Sequence, residues 1–194
     1  MMHSNETVRN LLADLNLPGD HSTPALEQLA ASDSRGLKDL KLNIGTVLRS
    51  TNMSKKEAFL LSLAAAVNER HEVLRAGFEL MAKNEGATDA EIAETNACVA
   101  VMSANNVFYR FRHYMAGVEY YSKTPAGLRM TVMANPVLGK EFFELMSLAV
   151  SALNGCEMCV QSHESSVKQH GASEPRIYDA IRLVAVVKSL CCIL

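Results

Sequence analysis

Several features are missing from this sequence, and each absence removes a class of protein. No apolar stretch runs uninterrupted for the roughly 18 residues that a membrane-spanning helix needs, although 48% of the 194 residues are hydrophobic. A soluble chain without a membrane partner is expected. No block of lysine or arginine stands out and the formal net charge is -2, so the electrostatic footprint of a nucleic-acid binder is absent. The opening residues MMHSNETVRN lack the basic flank and apolar core of a secretory leader, which points to the cytoplasm. Five cysteines are too few to staple a domain of this size, and their number is odd. Strand signals are scarce too: no convincing period-2 run is bounded by turn residues.

What is present reads as helix. Ser54 with Glu57, and Thr88 with Glu91, have the spacing of capping boxes, in which hydroxyl and carboxylate each satisfy an orphaned backbone N–H. Gly86 and Gly171 sit where left-handed helix stops are wanted, and new helices are expected two residues later, at Thr88 and Ser173. The punctuation belongs to a longer self-similarity. A shift of 85 residues lays AFLLSLAAAVNERHEVLRAGFELMAKNEGATDAEI over FELMSLAVSALNGCEMCVQSHESSVKQHGASEPRI. The expected fold is all-α, a compact helical bundle with an internal duplication. One domain is expected over 1–194, with repeats at about 54–104 and 138–190. Weaker amphipathic segments over about 1–50, divided by Pro18 and Gly19, should wrap around it. Between the repeats, the stretch from Ser103 to Pro136 is expected to be a connector with partial helix, broken by Pro125, Gly127 and Pro136.

The duplication acts as an internal control on chemistry. At the same shift Cys156 falls on His71, Cys159 on Leu74 and His163 on Phe78, so the fold does not require the cysteines. A C-x-x-C pair in a reducing compartment is redox-active or metal-binding more often than structural. Asn154-Gly155 is a stop-and-turn signal, which places Cys156 and Cys159 at the start of the following helix. There the helix dipole favours a thiolate, and a spacing of three puts both sulfurs on one face within reach of a disulfide. His163 continues the stripe one turn beyond Cys159, where an imidazole can accept a thiol proton. If the two helices pack antiparallel, Glu144 on the preceding helix faces this stripe and orients or charges the imidazole.

The residues Glu144, Cys156, Cys159 and His163 in ELMSLAVSALNGCEMCVQSH, together with NNVFYRFRH at 105–113, resemble the alkylhydroperoxidase D family of the carboxymuconolactone decarboxylase-like superfamily. The similarity extends from about the first capping box to nearly the C-terminus. It implies an all-helical fold with an internal repeat. It further implies that Cys159 is the peroxidatic thiol, passing through a sulfenic acid, and that Cys156 is the resolving thiol and a proton donor. Glu144 and His163 would form the proton relay, with no metal or organic cofactor. The implied partners are a hydroperoxide substrate, a dithiol reductant such as a dihydrolipoyl protein, and a peroxiredoxin served by adaptor-type members. Family members are commonly trimers, so a homo-oligomer is expected. One departure is Met158, where well-known members carry a histidine just before the second cysteine.

Other readings stand beside this one. Cys156, Cys159, His163 and His170 are a candidate zinc set, although closing a tetrahedron from a single helix stripe is awkward. A redox-sensing interaction protein would use the same dithiol without turnover. Lactone decarboxylation, known in the wider superfamily, is disfavoured by the cysteine pair. Cys98 lies on an apolar face and reads as inert core. The final CCIL matches a prenylation signal in form, but continues the apolar face of the last helix.

Overall fold

The segments Lys55–Asn68 and Lys140–Leu153 are buried on nearly every side, the second without a break from Phe142 to Ser151. A helix apolar all round belongs in the middle of a protein, and these two form the centre of an all-α fold. The computed structural model describes residues 3–194. Met1 and Met2, which begin both the stretch read for a leader and the wrapping segment, lie outside the described residues.

In chain order the helices are α1 (Glu6–Asp14), α2 (Pro24–Ala31), α3 (Arg35–Val47), α4 (Lys55–Asn68), α5 (Glu72–Asn84), α6 (Asp89–Tyr114), α7 (Glu119–Lys123), α8 (Lys140–Leu153), α9 (Glu157–Gln169) and α10 (Glu174–Leu190). A short 3-10 turn at Thr131–Met133 lies in the connector, and no strand occurs among the described residues. Helix α4 pairs with α5 and α8 with α9, while α6 and α10 each pack against both central helices. Both capping boxes form as the spacing predicts, at Ser54–Glu57 and Thr88–Glu91.

The bounds of α4 and α5, advanced by 85, are those of α8 and α9. Detail follows the same register. Ser62 and Ser147, equivalent under the shift, are both fully buried and each donates to the carbonyl four residues back at 2.8 Å. Lys56 pairs with Glu91 at 2.7 Å, and the equivalent positions hold Glu141 and Arg176 at 2.8 Å, the same bridge with its charges exchanged.

Two differences from expectation bear on the site. The helix begun at Asp89 does not end near residue 104 but runs to Tyr114, because no glycine or proline interrupts it before Gly117. NNVFYRFRH is thus the helical part of the partly helical connector, which beyond Tyr114 holds only α7 and the 3-10 turn. The N-terminal segment holds a third helix, α2, started by Thr23 as cap and Pro24 at its first position. The turn after α1 packs tightly on α5: a Cβ at Gly77 would lie 2.7 Å from the Leu15 carbonyl oxygen and 3.0 Å from Leu17 Cδ2.

Candidate active site

The turn between α8 and α9 is set by its backbone. Cys156 N–H reaches the Ser151 carbonyl at 3.1 Å and Gly155 N–H the Ala152 carbonyl at 3.1 Å, the Schellman pattern that closes a helix. It requires a left-handed residue, and Gly155 supplies it with φ 65°. Side chains of α6 then hold the turn. Asn106 donates to Ser151 Oγ at 2.9 Å and accepts from Asn154 at 2.9 Å, while Arg110 donates to the Asn154 carbonyl at 2.6 Å.

Cys156 is the N-cap of α9 and Cys159 its third residue, and their sulfurs are joined as a disulfide with Cα atoms 5.3 Å apart. The first three N–H groups of a helix have no intrahelical partner, so both sulfurs sit in the positive end of the dipole. In the dithiol state this environment favours a thiolate. One turn on, His163 Nδ1 lies 2.7 Å from Glu144 Oε2, and Lys140 Nζ lies 2.8 Å from Glu144 Oε1. Glu144 is 3% exposed. Burial pushes its carboxyl up, but hydrogen bonds and charge from His163 and Lys140 outweigh that and hold it down to about 2. An ionised Glu144 can only accept, so His163 donates through Nδ1, and Nε2 is the ring nitrogen left free of this bond.

A cleft of about 300 Å³ opens beside this group. Cys159, Ser162 and His163 form its α9 wall, Asn105 and Tyr109 of α6 face them, and Met130, Met133 and Met158 supply apolar surface. Cys156 is fully buried and does not line the cleft, whereas Cys159 is 6% exposed and does. An apolar pocket with a few convergent polar groups is the usual form of a small-molecule site.

The structure thus brings Glu144, Cys156, Cys159 and His163 together. His170 is not among them: it caps the far end of α9, roughly 16 Å along the helix from Cys159 at 1.5 Å per residue. No group of three or more His, Cys, Asp or Glu side chains among the described residues is placed to hold a metal ion. Cys98 is fully buried, and its thiol is pushed up to about 12, mostly by burial. Leu194, the last residue of CCIL, is 5% exposed and its carbonyl lies 2.6 Å from His21 Nε2. No helix among the described residues is long and apolar enough to cross a membrane.

Residues 120–190 match the carboxymuconolactone decarboxylase family. The alkyl hydroperoxide reductase AhpD of Anaeromyxobacter dehalogenans is 41% identical over 163 residues, covering 84% of this chain and 87% of its own length. The protein of that name from Solibacter usitatus is 40% identical over 169 residues, covering 87% and 94%. The chain belongs to the alkylhydroperoxidase D family. A third member, from Streptomyces coelicolor, is 39% identical over 166 residues.

Within this family member, several site residues escaped sequence reasoning. Lys140 was discoverable, because it stands four residues before Glu144 on the same helix face. Asn105 and Tyr109 lie in NNVFYRFRH but carried no assigned role. Met130 and Met133 come from the connector, and nothing in its sequence signals that it folds back against α6 to line the cleft.

Proposed function

We propose that this protein reduces alkyl hydroperoxides with the Cys156–Cys159 dithiol. The observation that carries this reading is the difference in access: Cys159 and His163 line the cleft, and Cys156 does not. In the dithiol state His163 Nε2 takes the Cys159 proton, and the resulting imidazolium is stabilised by ionised Glu144. The thiolate attacks the outer oxygen of the hydroperoxide and the O–O bond breaks. That oxygen stays on sulfur as a sulfenic acid, while the inner oxygen leaves as alkoxide and takes the proton back from His163 as alcohol. Cys156 then attacks the sulfenic sulfur. A disulfide forms, and the hydroxyl leaves with the Cys156 proton as water. An external dithiol returns two electrons and two protons.

The relatives named alkyl hydroperoxide reductase support this reaction class. Residues 1–194 are read with it as one domain on a duplicated unit, working in the cytoplasm as a homo-oligomer such as a trimer. A dihydrolipoyl protein is the proposed reductant and a peroxiredoxin a proposed electron acceptor. Turnover of cumene hydroperoxide with dihydrolipoamide tests the reading. Wild type is expected to turn over and Cys159→Ser to fall to the uncatalysed rate; full activity in Cys159→Ser refutes it.

A further inference from the structure

Two adjacent asparagines of α6 differ in how they are used. Asn106 is 1% exposed and fully engaged, donating to Ser151 and accepting from Asn154. Asn105 is 5% exposed and faces the cleft, yet the side-chain partner of its amide nitrogen is the Met130 thioether, at 2.8 Å. A thioether sulfur is a weak acceptor. Holding a carboxamide in a mostly apolar cleft with so weak a partner is unfavourable compared with an aliphatic side chain of similar size.

The internal repeat shows that the fold does not demand it. Helices α6 and α10 begin at equivalent positions and run on unbroken, and the 85-residue shift carries Asn105 onto Leu190. Leu190 is fully buried in the apolar core. The repeat that lacks the dithiol has leucine where the repeat that carries it has an amide. This is the pattern already seen at Leu74 against Cys159 and at Phe78 against His163.

We infer that Asn105 is a substrate-binding residue, whose amide N–H leaves the Met130 thioether and donates to the carbon-bound oxygen of an alkyl hydroperoxide. The inference rests on the peroxidase reading above. That oxygen is the atom on which negative charge develops when Cys159 takes the outer oxygen and the O–O bond breaks. A donor fixed at that place stabilises the leaving alkoxide until His163 returns its proton. Met130, Met133 and Met158 provide a flexible apolar wall for the carbon skeleton, so the preferred substrates are hydroperoxides with an apolar tail rather than hydrogen peroxide.

Asn105→Leu, Asn105→Gln and Met130→Leu are the variants to compare. For each, kcat/KM is measured for cumene hydroperoxide with dihydrolipoamide, beside the rate at which iodoacetamide alkylates the reduced dithiol. Removing one donor of this kind lowers turnover by about a hundredfold in comparable sites. Asn105→Leu is expected to lose about that much kcat/KM while its alkylation rate stays within about twofold of wild type. Asn105→Gln, which keeps a donor, should retain more activity than Asn105→Leu. Met130→Leu, which frees the amide but alters the apolar wall, should lose far less kcat/KM than Asn105→Leu. The inference is overturned if Asn105→Leu keeps wild-type efficiency, if its alkylation falls in parallel, or if Met130→Leu reproduces its loss. An inactive wild type refutes the peroxidase reading itself and the inference with it, an outcome distinct from an active enzyme indifferent to residue 105.

Discussion

The turn from α4 to α5 and the turn from α8 to α9 are nearly the same piece of backbone. His71 has φ -100° and ψ 93°, and Cys156 has φ -96° and ψ 91°. Both turns close with the Schellman pattern, His71 N–H on the Ala66 carbonyl at 2.9 Å and Cys156 N–H on the Ser151 carbonyl at 3.1 Å. The side chains then diverge. His71 caps its own helix by accepting from the Leu74 N–H at 3.2 Å, and Leu74 and Phe78 vanish into the core. In the second turn no side chain caps the helix, and the equivalent positions are a disulfide and a histidine held by a buried carboxylate.

What lies over the two helices explains the rest. The Leu15–Leu17 turn is pressed onto Gly77 of α5, where any larger residue would collide. The equivalent position on α9 is Ser162, which lines the open cleft. In the first helix pair Leu74 and Phe78 are fully buried, while in the second the equivalent Cys159 and His163 line the cleft.

The largest effect should come from removing the chemistry of the second turn. Cys159→Ser is expected to lower hydroperoxide turnover by at least about a thousandfold, since loss of a nucleophile removes the whole covalent route. Transplanting His71→Cys and Leu74→Cys into the first turn should restore none of it in that background, because Leu15–Leu17 cover α5 and Phe59 stands where the second repeat has Glu144. Recovery of turnover would break the comparison.

Glu144→Gln comes next. Orienting and charging the imidazole is a part of the roughly 10²–10⁴-fold worth of general acid–base catalysis, so a loss of about a hundredfold in kcat is expected. The same carboxylate has a stability signature. Its folded pKa of about 2 is below the ordinary 4.5, so its stabilising contribution is complete above about pH 4.5 and is lost as pH falls toward 2. Urea unfolding between pH 6 and roughly pH 2 should show a steeper acid loss in wild type than in Glu144→Gln. Equal slopes would remove Glu144 from the relay as drawn.

The smallest effects concern backbone. Arg70 has φ 58° where Gly155 has φ 65°, so the first turn carries a strained residue at the position the second gives to glycine. Arg70→Gly is expected to stabilise by about 1 kcal/mol and Gly155→Ala to destabilise by a similar amount, read by denaturant midpoint. Nothing lies within 4 Å of a Cβ built at Gly155, so the change reports strain rather than a clash.

The sequence was most legible where the interactions are local. Ser54–Glu57, Thr88–Glu91 and the Asn154-Gly155 stop are decided within a few residues, and the i, i+4 step from Cys159 to His163 follows from helix geometry. The cleft was not legible, because its walls meet from distant parts of the chain: Asn105 on α6, Met130 and Met133 in the connector, Cys159 on α9. Glu144 lay between these cases. Its position on α8 was readable, but its burial depends on Lys140 and His163 closing around it, and a mid-helix glutamate looks like surface until both are placed. The N-terminal seal on Gly77 is likewise a contact between segments about sixty residues apart.

The central claim is that Cys159, not Cys156, meets the oxidant. Reduced Cys156→Ser, treated with one equivalent of cumene hydroperoxide in the presence of dimedone and analysed by peptide mass spectrometry, tests it directly. The account predicts a single adduct, on Cys159, with Cys98 unmodified. An adduct-free Cys159, or labelling that spreads to the remaining cysteines at a comparable rate, would contradict it.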